Sequence, residues 1–411
     1  MDAQLRHTTG MTITERILAR AGGLASVRPG DMVDASVDRA MIHDNNAALV
    51  MDNFEKIIDP MIWAPERVAM FIDHHSPSTS VKASGHHART RSFAARHGIS
   101  RLYDCGQGIS HIVMLEENLA GPGELVVGTD SHTTGEGARG AFATGIGATE
   151  MAAVLVSGHV WLRVPETIKI VMEGTLPNEA EARDLMNVVL SRLGPDGANY
   201  RAVEFHGSAG RSMSLEERAM CCVMSMEMGA KNAVFADAAE PPERDAAYGR
   251  VETFRADETE PCVAVPPLPT NACLLREVER ERIKIDQAYI GSCAGGLLRD
   301  MAAAADVLKN RHAAPGVRLL VIPASRRIYA EALAKGYIAT LHEAGAIIGS
   351  PACGACGGHD AGVLAKGEVC ISDSPRNMEG RMGPGGTVYL AGAATVAASA
   401  VRGYISGKAG L

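Results

Sequence analysis

The chain has 411 residues, too many for one small core, and this length predicts about two to four domains. Hydrophobic residues make up 46% and charged residues 21%, a balance that excludes a disordered chain. A formal net charge of -8 argues against nucleic acid as the main partner, because phosphate binding needs a concentrated basic surface.

No apolar run reaches the ~18 residues of a membrane-spanning helix. The amino-terminal stretch Met1–His7 lacks the apolar core of a secretory signal, so a cytoplasmic location is expected. Folding is expected to begin at Met11, where Thr12 and Glu15 form a capping pattern ahead of apolar helical positions. Short apolar runs then alternate with helix-like stretches, the pattern of α/β layers. The runs at 124–127, 168–172 and 317–322 read as strands, and 215–228, 298–309 and 393–404 as helices. Composition shifts at Arg163-Val164-Pro165 and across the Pro-, Glu- and Asp-rich segment 240–270 mark boundaries. The second segment reads as an interdomain connector or a long surface loop. The domains expected are 1–164, 165–255 and 256–411.

Several polar clusters could carry chemistry. His74 and His75, after Asp73, could equally be surface histidines on a polar loop with His86 and His87. Asp130-Ser131-His132 could be a turn or a helix cap. Glu227 falls in a Met-rich helical stretch, and Arg376 and Arg381 could form ordinary ion pairs with Glu379 or Asp373.

Nine cysteines in a chain without a secretory signal are expected to be free thiols, mostly buried, with some as metal ligands. Cys353 and Cys356 stand three positions apart in the glycine-rich run Pro351–Gly358. Cys293, in Gly291-Ser292-Cys293-Ala294-Gly295-Gly296, is expected at a strand-to-helix turn, where a helix N-terminus favours a thiolate. Three thiolates can hold three irons of a cubane and leave the fourth open. A single C-x-x-C pair also fits zinc or redox chemistry, and the spacing alone does not choose.

These segments resemble the aconitase and isopropylmalate dehydratase superfamily, over nearly the whole chain from Met11 onward. The similarity is carried by Val127-Gly128-Thr129-Asp130-Ser131-His132-Thr133, by Gly291-Ser292-Cys293, by Ile322–Arg326 and by Arg376–Gly383, in the family's order. The resemblance implies three α/β/α domains around a central iron–sulfur cleft. The chain stops soon after Leu390–Ala400, which resembles the split enzymes whose swivelling fourth domain is a separate small subunit. It implies a [4Fe-4S] cluster with one open iron on Cys293, Cys353 and Cys356, and a partner subunit in a heterodimer or heterotetramer. The implied activity is dehydration or isomerisation of a small hydroxy di- or tricarboxylic acid.

The resemblance also assigns roles. His74, paired with Asp73, would protonate the departing hydroxyl; His111 would pair with Asp130, and His132 with Glu227. Arg376 and Arg381 would bind substrate carboxylates, with His43 and Ser131 as further substrate contacts. The alternatives are a non-catalytic, RNA-binding relative or a zinc protein. This sequence departs from the pattern at Ala294-Gly295 (usually Thr-Asn), Pro375 and Val223 (usually Asn) and Met378 (usually aromatic). Asparagines there hydrogen-bond the cluster or its ligands, so these changes imply altered cluster stability or an atypical substrate.

Overall fold

The computed structural model describes residues 10–358 and 360–411; the stretch Met1–His7 lies outside them. The Thr12 hydroxyl accepts from Glu15 N at 3.2 Å and Glu15 Oε2 accepts from Thr12 N at 2.7 Å, capping helix Ile13–Ala21. The other apolar runs form strands Leu125–Gly128, Thr167–Glu173 and Arg318–Val321, and helices Leu215–Ser225, Leu298–Leu308 and Ala393–Arg402. The predicted helix over 215–228 ends early: its last residues, Met226–Met228, tighten into a 3₁₀ turn closed by Gly229 at φ 85.

Three main sheets, two wholly parallel and one mixed, follow one another along the chain. The first has five strands in the order Arg101–Tyr103, Val68–Phe71, Arg39–His43, Leu125–Gly128, Phe142–Gly145. The chain builds outward from Arg39–His43 in one direction, then crosses to Leu125–Gly128 on its other side. That reversal opens a crevice beyond the carboxyl ends of the two strands, where ligands bind in such sheets. A two-stranded ribbon, Met32–Ser36 with His159–Arg163, lies beside it in sequence.

The second sheet orders Asn232–Phe235, Ala202–His206, Thr167–Glu173 and Arg250–Arg255. Segment 240–270 is therefore more than the connector or loop expected: it supplies this sheet's edge strand. Arg250–Arg255 is exposed at most positions, so no apolar alternation announces it. Beneath, Phe205 stacks on Phe235 at 4.9 Å in a core with Ile168, Ile170, Met186 and Leu190. Each such buried side chain contributes about 1.5–3 kcal/mol.

The third sheet has seven strands, in the order Ala272–Leu274, Cys262–Ala264, Thr387–Leu390, Val369–Ser372, Gln287–Ile290, Arg318–Val321, Ile347–Ile348. The last five are parallel, and their order reverses between Gln287–Ile290 and Val369–Ser372. The carboxyl ends of the first and third sheets are tied together. Cys353 N donates to Asp73 O at 2.9 Å, Ile109 N to Ala324 O at 2.8 Å and Arg326 N to Gln107 O at 2.9 Å. Among the described residues no helix is long and apolar enough to cross a membrane.

Candidate active site

The first sheet's crevice collects His43, Asp73, His74 and Asp130, each at or just past the end of a strand. His74 Nδ1 lies 3.0 Å from Asp73 Oδ1, and its Nε2 lies 3.6 Å from Asp130 Oδ2. Burial alone would lower His74, but the Asp73 and Asp130 carboxylates raise it well above its ordinary value. His74 is thus held as an imidazolium in a half-buried position. The polar-loop alternative fails for a further reason. Buried Asp44 accepts from His74 N at 2.9 Å, from His75 N at 3.0 Å and pairs with His87 Nε2 at 3.2 Å. Asp44 was not singled out in the sequence; its signal is a carboxylate flanked by His43 and a helix start.

Asp130 is the hub. It caps the following 3₁₀ turn through His132 N at 2.7 Å, so the cap reading and the site reading describe the same residue. It also meets His111 Nε2 at 3.1 Å and His43 Nε2 at 3.7 Å. His111 carries a second carboxylate on its other face, Glu136 Oε1 at 3.1 Å from Nδ1. Glu136 is fully buried and was missed in the sequence, although a carboxylate within Gly135-Glu136-Gly137 is the kind of buried charge that needs a partner. Burial opposes a charge on His111, yet Glu136 and Asp130 push it up to about 10.

His132 Nε2 lies 2.9 Å from Glu227 Oε1, and the same oxygen accepts from Arg376 Nε at 2.7 Å. Arg376 therefore pairs with Glu227, and with neither Glu379 nor Asp373. Burial, followed by the Arg376 charge, lowers His132. Ser131 and Asp130 line a cavity of about 400 Å³ that runs on to Glu150, Tyr200 and Lys231.

All nine cysteines are free. Cys293, Cys353 and Cys356 are buried around Tyr289, whose hydroxyl donates to Cys353 O at 2.8 Å. Cys293 does not sit at a helix N-terminus: helix Leu298–Leu308 begins past Leu297, and burial raises the thiol instead. Hydrogen bonding from the Cys353 thiol, and then the Arg381 guanidinium 4.0 Å away, bring Cys356 down to about 5 against burial. Cys293 Sγ lies 3.6 Å from His132 Nδ1. Three buried thiols, one of them beside the Arg381 guanidinium, fit ligands of an iron–sulfur cluster.

The departures have structural counterparts. Val223 is buried in the second core, and a Cβ on Gly135 would lie 2.9 Å from its Cγ2, so this position packs rather than hydrogen-bonds. A Cβ on Gly295 would lie 2.1 Å from Asp373 Cγ, so glycine there leaves room for the Asp373 carboxyl group. Met378 is 40% exposed and packs no core, and nothing in the structure explains Pro375.

Parallel α/β sheets whose carboxyl ends bring acid–base pairs and a three-thiol set into one cleft define an enzyme of the aconitase fold class. The sequence matches the aconitase family (aconitate hydratase) over residues 23–241 and 238–403. It is 43% identical to the 3-isopropylmalate dehydratase large subunit of Moorella thermoacetica, covering 97% of this chain and 98% of that one. It is 42% identical to the 3-isopropylmalate dehydratase large subunit 1 of Methanopyrus kandleri, at 97% and 98% coverage. A probable methanogen homoaconitase large subunit of Methanothermobacter thermautotrophicus is 40% identical, at 96% and 97% coverage. Among solved structures, Thermococcus kodakaraensis aconitase X in its holo form superposes with a TM-score of 0.53 at 13% identity, covering 83% of this chain and 84% of that chain, a likeness of fold. The chain belongs to the aconitase family, and its activity is that of a hydro-lyase.

Proposed function

We propose that this chain is the large subunit of a heteromeric, cytoplasmic hydro-lyase with Cys293, Cys353 and Cys356 as ligands of a [4Fe-4S] cluster. Its substrate would be a small 2- or 3-hydroxy di- or tricarboxylic acid of the isopropylmalate kind. The domains would be 1–164, 165–255 and 256–411, each built on one of the three main sheets. Support for the partner and the substrate class comes from relatives named as large subunits of isopropylmalate dehydratase and homoaconitase. The observation that carries the reading is the 3.6 Å contact of Cys293 Sγ with His132 Nδ1, because it joins the thiol set to the acid–base set.

When bound, the cluster supplies a Lewis-acidic iron for the substrate hydroxyl. His74 donates the proton that the departing hydroxyl needs, since hydroxide alone is a poor leaving group. Asp73 and Asp130 hold its ring from both nitrogens and keep that proton available. Charged His111 fixes Asp130 from behind. Glu227 holds Arg376 by Nε, which leaves the terminal amino groups of the guanidinium to receive a carboxylate, with Arg381 as its companion. His43 and Ser131 line the remaining substrate contacts. The base that removes the carbon-bound proton comes from the partner subunit.

The test is co-expression with a swivel-domain small subunit, followed by hydration and dehydration assays on isopropylmalate, citramalate, dimethylmalate and homocitrate-like acids. The complex should turn over one of them, and the isolated chain should be nearly inactive. A well-folded, iron-loaded complex inert toward every acid of this class would reject the reading.

A further inference from the structure

We infer that Asp373 is a positioning residue for Cys293: its carboxylate clamps both ends of the loop that presents this thiol, in the space a side chain at position 295 would fill. The purpose of the clamp rests on the ligand assignment proposed above; its geometry does not.

Asp373 follows strand Val369–Ser372, and Gly291 follows strand Gln287–Ile290, the two neighbours between which the third sheet reverses its order. Asp373 N donates to Tyr289 O at 3.2 Å, which carries the backbone pairing one residue past the strand. The side chain then reaches across the crevice. Oδ1 accepts from Gly291 N at 2.8 Å and Oδ2 from Gly296 N at 3.2 Å, so one carboxylate holds residues on both sides of Cys293. The loop needs such bonds, because Ser292 sits at φ 85, a conformation that non-glycine residues rarely adopt.

The carboxylate is itself well anchored. Asp373 is 2% exposed, and buried Arg183 donates to Asp373 O and to Ser374 O, each at 2.6 Å. That fork fixes the backbone from which the side chain projects. A Cβ at position 295 would lie 2.1 Å from Cγ and 2.3 and 2.4 Å from the two carboxylate oxygens. Gly295 and Asp373 therefore form an interlocking pair: any side chain at 295 expels the carboxylate. The missing asparagine at 295 is thus balanced by a second residue that holds the loop from the neighbouring strand.

The test measures how fast iodoacetamide alkylates Cys293 in the folded, metal-free full chain, read by peptide mass spectrometry, with Cys353 as internal control. Asp373→Ala should speed alkylation of Cys293 by about tenfold or more and leave Cys353 within about twofold, as expected when two hydrogen bonds to the loop are lost. Asp373→Asn, which keeps one acceptor oxygen, should fall between. Gly295→Asn should match Asp373→Ala, and combining the two should add little, because both remove the same contact. If Asp373→Ala does not fold, Asp373→Asn and Gly295→Ser carry the test. Unchanged Cys293 alkylation in the folded variants, or effects that simply add, would overturn the inference. Wild-type protein that fails to take up iron while Asp373 variants still expose Cys293 would reject the ligand assignment and leave the clamp standing.

Discussion

Nδ1 of His132 lies 3.6 Å from the Cys293 thiol, while Nε2 of the same ring lies 2.9 Å from Glu227. His132 comes from the turn that follows a strand of the first sheet, Glu227 from a turn ahead of a strand of the second, and Cys293 from the loop after a strand of the third. One imidazole is therefore the point at which all three sheets contribute to the site. Its Nδ1 also faces Asp130 Oδ1 at 3.7 Å, so the ring stands between a thiol and two carboxylates.

If His74 is the proton donor proposed above, its replacement should damage turnover more than binding. His74→Gln keeps a hydrogen-bonding side chain but cannot deliver a proton at neutral pH. We expect kcat of the reconstituted complex to fall by about 10²–10⁴-fold, with KM changed far less. Steady-state kinetics on the same substrate decide it, and a KM effect with kcat intact would move His74 to a binding role.

Arg376 should show the opposite pattern. Its Nε is engaged by Glu227 at 2.7 Å, so the group depends on the planar fork that lysine lacks. Arg376→Lys is expected to raise KM by about 10- to 100-fold, the loss of one charged hydrogen bond. An unchanged KM would place the substrate carboxylate elsewhere.

His111 makes a prediction about pH. Carboxylate oxygens face both ring nitrogens at 3.1 Å, an arrangement that favours the charged ring. Although burial opposes it, Glu136 and Asp130 push His111 from an ordinary value of 6.5 up to about 10. Because the folded value is the higher, its stabilisation is complete below 6.5 and is lost as pH rises through about 10. The melting temperature of the metal-free protein should fall over this alkaline window, and His111→Gln should flatten that slope. An unaltered slope in the variant would contradict the assignment.

Much of this was legible in the sequence because its local signals agree with the fold. The Thr12–Glu15 capping box and the apolar runs at 168–172 and 317–322 report structure formed by near neighbours. The thiols and the histidine pairs could be read from motifs whose residue types match the chemistry. Glu136 and Asp44 carry only weak local signals and Asp373 carries none, since each acts through partners remote in sequence or through backbone N–H groups. The strand Arg250–Arg255 was hidden for a different reason: an exposed edge strand lacks the alternation that marks a half-buried one. The helix expected behind Cys293 begins too late for its dipole to reach the thiol, a matter of a few loop residues.

Cys293, Cys353 and Cys356 would together hold a cluster beside the acid–base residues. The most direct measurement is iron and acid-labile sulfide in the anaerobically reconstituted chain. About four of each per chain are expected, with both sharply reduced in Cys353→Ser. Full retention of iron and sulfide in that variant would contradict the ligand assignment.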